Sequence, residues 1–436
     1  MHKQTNFRSQ ISGEIDASTE RLLQMAKSLV AAASPNPPGD VTQAAAAAFI
    51  LLETIPTVTI ERYETAPGIV NLVARVDSGR PGRRLIFNGH LDTFPVGEDM
   101  GWTVPPLGGT VKEGRIYGRG ISDMKGGIAA SLLATEILAR NPGAWHGEIV
   151  VTLAGDEETM GSLGTKWLLE NVPYARGDAM ISGDVGSPSV VRFGEKGLFW
   201  IEIEAEGSPA HGAHVHKGIN AIDRLRGALD VLKRLEQISV ALPSDVDLAI
   251  ETAKPVSEPI SGAGEANTLR HVTVNIGVIE GGVSPNLVPT RAIAKVDIRV
   301  PLGTTTKLLE DNLNTWLGEH EGVSWRIIQR AEPLFTEPAH DIVQRVAKAA
   351  TEVLGKEPVL NMRVGASDAR LYRAAGVPSV VYGPTPFGMG GPDEYVLVDE
   401  LVAIAKVHTL AAFDFLNALP KPALTINKGV PETIRD

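Results

Sequence analysis

Cysteine is absent from all 436 residues. Disulfides and thiolate metal sites are thereby excluded, and any metal must be held by His, Asp and Glu. There is also no cluster of Lys or Arg. With 41 basic against 52 acidic side chains the formal net charge is −11, so a nucleic acid is not an expected partner. No stretch approaches the roughly 20 apolar residues that a bilayer span requires. Residues 1–16 are polar and lack the apolar core of a secretory signal. The expectation is a cytoplasmic protein without a membrane partner.

Several chemistries are missing at the level of motif. The sequence has no phosphate-cradling Gly-x-x-x-x-Gly-Lys-Ser/Thr, no Gly-x-Ser-x-Gly elbow and no His-Glu-x-x-His. Gly118-Arg119-Gly120 lacks the third glycine and the strand-turn-helix setting of a dinucleotide fingerprint. Nothing suggests a redox cofactor.

What is present is an ordinary globular composition, 43% hydrophobic and 21% charged. The length exceeds what one core usually organises, which points to two domains. Apolar runs such as Leu85-Ile86-Phe87 and 148–154 alternate with helical periodicity over 18–33, 41–54, 126–139 and 163–171. Strands alternating with helices imply an α/β fold with a mostly parallel sheet and a site at the carboxyl ends of its strands. From Lys196 the texture changes to strand 198–205, helix 220–235, strands 271–278 and 291–300, helix 305–320 and strand 323–329. That order, β-α-β-β-α-β, is the ferredoxin-like split motif. After Pro333 the α/β pattern resumes, with helices 341–354, 368–375 and 399–416 and a strand at 379–382. The reading is a catalytic domain in two parts, 1–195 and 331–436, with a smaller domain, 196–330, inserted between them. Within the insert, 238–267 reads as a long irregular stretch. Pro420 onward reads as a loosely held tail.

Gly89-His90-Leu91-Asp92 ends the apolar run 85–87, so His90 and Asp92 emerge on one face, one pleat apart. A carboxylate so placed can orient a metal-binding histidine. Alone the motif is weak. Asp123 before a helix reads equally as an N-cap, Glu157-Glu158 as a solvated strand end, and Asp184 as a turn former before Gly186. Most of these fall together at strand carboxyl ends, and the set suits a carboxylate-bridged pair of borderline cations such as zinc. Of two adjacent glutamates pointing oppositely, one can bind metal while the other handles protons.

Gly89-His90-Leu91-Asp92-Thr93, Ser122-Asp123-Met124-Lys125-Gly126-Gly127, Asp156-Glu157-Glu158 and Gly194-Glu195-Lys196-Gly197 occur in that order. They are followed by Pro209-Ala210-His211-Gly212-Ala213, Asp297-Ile298-Arg299, Ser367-Asp368-Ala369-Arg370 and Pro392-Asp393-Glu394-Tyr395. Together they resemble the co-catalytic zinc metallopeptidase family of aminoacylase, acetylornithine deacetylase, succinyl-diaminopimelate desuccinylase and glutamate carboxypeptidase. The resemblance covers nearly the whole chain. It implies Asp123 as bridging ligand, His90 and Asp184 completing one metal site, and Glu158 in the second. It also implies Glu157 as general base and Asp92 as partner of His90. The inserted domain would be the lid and dimerisation domain, with His211 reaching the partner subunit's site to stabilise the oxyanion. Arg299, Asn286 and Ser367 would hold the substrate. His214 and His216 read as surface positions.

One position departs from the pattern. Where the family carries a second-metal histidine, four or five residues before the glutamate of Pro-Asp-Glu-Tyr, this chain has Gly390 and Met389. One or two zinc ions are therefore expected, with cobalt or manganese as alternatives and the second ion in question, and Gly390 leaves room for a bulkier substrate group. The implied activity is hydrolysis of a small amide substrate, an N-acyl amino acid, a dipeptide or a similar compound, by a homodimer. Asp rather than Glu at position 184 leans slightly toward the family's dipeptidases and aminopeptidases. The rival is a weak or silent family member that binds a small amino-acid-like ligand.

Overall fold

Parallel strands buried on both faces read as continuous apolar runs, and that is what the middle of the main sheet contains. In the computed structural model, which describes residues 2–97 and 101–418, Leu85, Ile86 and Phe87 are all fully buried in the strand Arg84–His90. This strand pairs in parallel with Glu148–Ala154 on one side and Ala179–Ser182 on the other. Ser379–Val381 continues the parallel set. The expected mostly parallel sheet is in fact mixed. Thr59–Ala66 and Ile69–Asp77 extend one end antiparallel. Val190–Glu195, unforeseen in the sequence, joins the other end, pairing antiparallel with Leu334–Phe335 and parallel with Val359–Arg363. Two further short strands, Thr110–Lys112 and Arg115–Tyr117, pair with each other, and the second also pairs with Tyr395–Leu397.

The helix Gly126–Ala139 is buried at every residue, as expected of a helix that is apolar all round. It lies between the sheet and the helices Thr19–Ala31 and Val398–Leu416. A helix at His2–Ala17 packs there too through Phe7, Ile11 and Ile15. The polar look of residues 1–16 hides this amphipathic stripe. The tail expected from Pro420 lies outside the described residues. Among the described residues no helix is long and apolar enough to cross a membrane.

The second sheet is ferredoxin-like, with strands ordered Thr273–Gly281, Arg291–Val300, Gly197–Glu206 and Val323–Ala331, all antiparallel. Phe199, Ile201, Ile203 and Ala205 alternate inward onto the helices Ala221–Leu232 and Thr306–Leu317. The stretch 238–267, read as irregular, is helical instead: Ser244–Ser261 and Glu265–Arg270. These helices leave the inserted sheet and pack on Val359–Arg363 of the main one. Val246, Ile250, Ala266 and Leu269 join the main core. A buried polar knot fastens them: Arg192 donates to Glu265 at 2.9 Å, and Asn361 donates to Ser257 at 3.0 Å. The insertion thus ties the smaller sheet to the larger one.

Candidate metal centre

Because Arg84–His90, Glu148–Ala154 and Ala179–Ser182 run parallel, their carboxyl ends deliver His90, Glu157-Glu158 and Asp184 to one edge. Asp123 arrives from a different direction. It sits with φ −129° and ψ 90° in the tight turn that precedes the helix starting at Gly126. Close backbone contact holds this turn against the sheet. A Cβ on Gly127 would lie 1.9 Å from the Gly183 carbonyl oxygen, so only glycine lets the helix approach the strand end that carries Asp184.

The ligand atoms of His90, Asp123 and Glu158 all lie within 4.8 Å of one another. His90 Nδ1 donates to the Asp92 carbonyl oxygen at 2.9 Å, which turns Nε2 toward Asp123 Oδ1 at 3.0 Å. Fixing one ring nitrogen in this way selects the other as the ligand atom. Burial opposes a charge on His90, but the hydrogen bonds to Asp123 and Asp92 outweigh it and raise its pKa well above the usual value. Burial pushes Glu158 up to about 8. Burial also raises Glu157 well above the carboxylate range. Several acids crowded out of water need a cation to ionise together. Glu158 Oε1 is buried with no hydrogen-bond partner, the condition expected of an oxygen built for a metal. The donor set therefore fits a divalent ion on His90, Asp123 and Glu158.

Asp92 has a larger part than the expected partner of His90. Its carboxylate stands 3.5 Å from Nδ1 and is fully buried. One oxygen accepts from the backbone N–H of Glu157 at 3.1 Å, and the other from that of Glu158 at 3.0 Å. Asn36 donates to the second oxygen at 2.9 Å. Asp92 thus clamps the turn that aims the two glutamates. Asn36 stands in the run Pro35-Asn36-Pro37-Pro38, and a polar side chain amid prolines is the one signal the sequence offers for it. Arg370 places Nη1 3.6 Å from Glu157, close enough to favour its charged form.

Asp184 is not a member of the three-residue group. Its Oδ2 pairs with Arg363 Nη1 at 2.9 Å, a residue that sequence reasoning passes over. Ser367 is buried and its hydroxyl donates to Glu195 at 3.1 Å, so it is committed to the scaffold. Arg299 forms a two-toothed pair with Asp297 at 2.9 and 3.0 Å. Asn286 is exposed and accepts from Ser284. His211, His214 and His216 are exposed on the inserted domain, and His211 Nδ1 accepts from the Ala213 N–H. None of these touches the centre within this one chain. Gly390 sits at φ +74°, with Phe94 the nearest neighbour to a would-be side chain at 3.8 Å. Its carbonyl accepts from Arg119, whose other arm grips Glu394 at 2.6 Å.

Residues 86–414 match the Peptidase family M20/M25/M40. Among similar proteins is the succinyl-diaminopimelate desuccinylase of Rhodospirillum centenum, 30% identical over 78% of this chain and 82% of that one. The enzyme of the same name from Parvibaculum lavamentivorans is 31% identical over 79% and 82%. Among solved structures, an M20 family metallo-carboxypeptidase from Sulfolobus solfataricus superposes with a TM-score of 0.76 at 20% identity, over 90% of this chain and 98% of that one. Human carnosine dipeptidase 1 does so with 0.75 at 16% identity, over 94% and 99%.

Proposed function

The chain belongs to the Peptidase family M20/M25/M40 and is a metal-dependent hydrolase of amide or peptide bonds; from that premise we propose a zinc-supported deacylase or dipeptidase of small carboxylate-bearing amides. The observation that carries the reading is the convergence of His90, Asp123 and Glu158 within 4.8 Å, beside a glutamate whose backbone the same Asp92 clamp holds. Relatives named desuccinylases favour an N-acyl amino acid over a peptide. A divalent ion at these three residues would supply Lewis acidity for a carbonyl and for water.

Each protein group then has a task. Glu157 stands free of the ligand group, takes a proton from the attacking water and returns it to the leaving amine. Burial raises its pKa, and the Arg370 guanidinium beside it favours the charged form that accepts the proton. Arg370 holds the glutamate in place. His211 supplies a donor for the developing oxyanion, brought from a second subunit, since within one chain it stays on the exposed insert. Arg299 and Asn286 meet the substrate's carboxylate when the insert closes. The homodimer forms through the inserted sheet, whose edge strand Thr273–Gly281 and following loop expose Ile279 at 60% and Val283 at 88%. Apolar side chains on an unpaired edge call for cover. A cytoplasmic location completes the reading.

The test is metal analysis of purified protein with hydrolysis assays over acyl-amino acids, dipeptides and carbamoyl compounds. Turnover that a chelator abolishes and zinc restores supports the proposal. A metal-free protein inert across the panel would support the silent binder instead, the reading that the glycine at position 390 motivates.

A further inference from the structure

Two features of the centre depart from a two-ion arrangement. First, the segment carrying Met389 and Gly390 offers no imidazole, and Gly390 has a left-handed backbone that penalises any side chain. Second, Asp184 Oδ2 is held by Arg363 Nη1 at 2.9 Å, with the two side chains only 3% and 16% exposed. Each of the two expected ion positions has therefore lost a ligand. The three donors left over converge on a single point.

Arg363 is the last residue of the strand Val359–Arg363, which pairs with Val190–Glu195 in the main sheet. Its backbone is fixed by that pairing, and its carbonyl accepts from the Lys196 N–H at 3.1 Å. A guanidinium remains charged at any accessible pH. It also presents five N–H donors, so pairing with Asp184 leaves donors directed elsewhere.

We propose that this centre takes one divalent ion, on His90, Asp123 and Glu158, and that Arg363 on Asp184 stands as the permanent positive charge where a second ion would otherwise lie. This rests on the reading that the protein is a metal-dependent hydrolase with its site at these residues. A built-in cation occupies the carboxylate a second ion would need and repels that ion's charge. It also leaves positive potential beside the carbonyl under attack, a service that requires no metal supply. The site would then saturate with a single equivalent of zinc.

The experiment is ion content per folded chain, measured by elemental analysis after the metal-stripped protein is equilibrated with zinc and passed through a desalting column. One ion is expected for wild type and for Asp184→Asn, whereas Glu158→Gln loses it. Arg363→Lys keeps one ion, because the charge is kept. Arg363→Met, which frees Asp184, acquires a second ion as zinc is raised. Circular dichroism confirms that each variant is folded, and if Arg363→Met fails this check the Asp184→Asn and Glu158→Gln pair decides alone. Two tightly held ions in wild type, or loss of the ion in Asp184→Asn, would overturn the one-ion centre while leaving metal-dependent hydrolysis intact. No ion in wild type at any zinc concentration would overturn both.

Discussion

The carboxyl edge of the main sheet and the loops of the inserted domain both carry polar residues that the family pattern marks for function, but they carry them differently. At the sheet edge the groups are buried and cross-braced. Asp92 alone takes three hydrogen bonds, from Asn36, Glu157 and Glu158. On the loops of the inserted domain the His211 and Asn286 side chains are exposed, and their hydrogen bonds reach only two residues along the chain. The first region is assembled by one chain before any substrate arrives. The second is exposed, and the reading proposed above has it meet substrate only when a partner or the closing insert brings it in. Preorganised groups lower a barrier because their dipoles are already oriented, whereas groups carried on a movable or partner-borne surface add control over when the site closes.

Substitutions at the two regions should break or sharpen this contrast. The largest effect is expected at Glu157. Glu157→Gln should lower the hydrolysis rate by about 10²–10⁴-fold while ion content and fold persist, since Glu157 is outside the ligand group. Wild-type kcat in that variant would remove the general-base role. Next, His211→Ala should cost about 10²–10³-fold in rate without any change in thermal stability, because the side chain is exposed. Mixed with Glu157→Gln protomers under conditions of subunit exchange, it should recover part of the activity. A mixture that exchanges yet stays dead would show that His211 does not act across an interface.

A smaller loss is expected from Asp92→Asn. The amide nitrogen cannot accept from the backbone N–H that the lost carboxylate oxygen served, so the glutamate turn loosens. Supporting groups of this kind are worth about 10–100-fold in metal affinity. Zinc titration of the stripped protein measures it, and an unchanged dissociation constant would count against the clamp.

The smallest effect concerns what lies beneath the edge. His408 is fully buried, stacks on Phe87 of the His90 strand at 5.6 Å, and donates through Nε2 to the Tyr382 carbonyl at 2.8 Å. Burial pushes its pKa down to about 4. The unfolded chain, with an ordinary histidine near 6.5, therefore binds a proton in the interval between these values that the folded chain refuses. Stability is full above about pH 6.5 and falls as the pH drops toward 4. At pH 5.5 the loss from this group is about 1.4 kcal/mol. Following the His408 ring by NMR should show it neutral down to about pH 4, and a midpoint near 6.5 would sink the account.

Much of the architecture is legible in the order of residues. The strand Glu148–Ala154 and the helices Gly126–Ala139 and Asp341–Leu354 lie where apolar periodicity puts them. They are long or uniformly apolar, so local pattern and tertiary burial agree. The helix Ser244–Ser261 escapes such a reading because Pro255 and Pro259 lie inside it. Each such proline costs about 3 kcal/mol in a helix interior. Burial of Val246 and Ile250 returns about 1.5–3 kcal/mol each, and the Arg192–Glu265 and Asn361–Ser257 contacts add to it. That balance depends on a strand far away in the chain, which no local window contains.

The same division holds at the site. Residue type and order by themselves determined the family and its chemistry, the α/β fold with its ferredoxin-like insert, and the absence of a histidine at 389 and 390. Those properties are written in short motifs, and a strand end or turn carries its side chains wherever it goes. Only the tertiary structure decided that Asp92 grips two backbone N–H groups, that Ser367 serves the scaffold, and that Arg363 reaches Asp184. Such contacts join segments distant in the chain, and whether a charged group meets a metal, a partner or water depends on which neighbour burial leaves it.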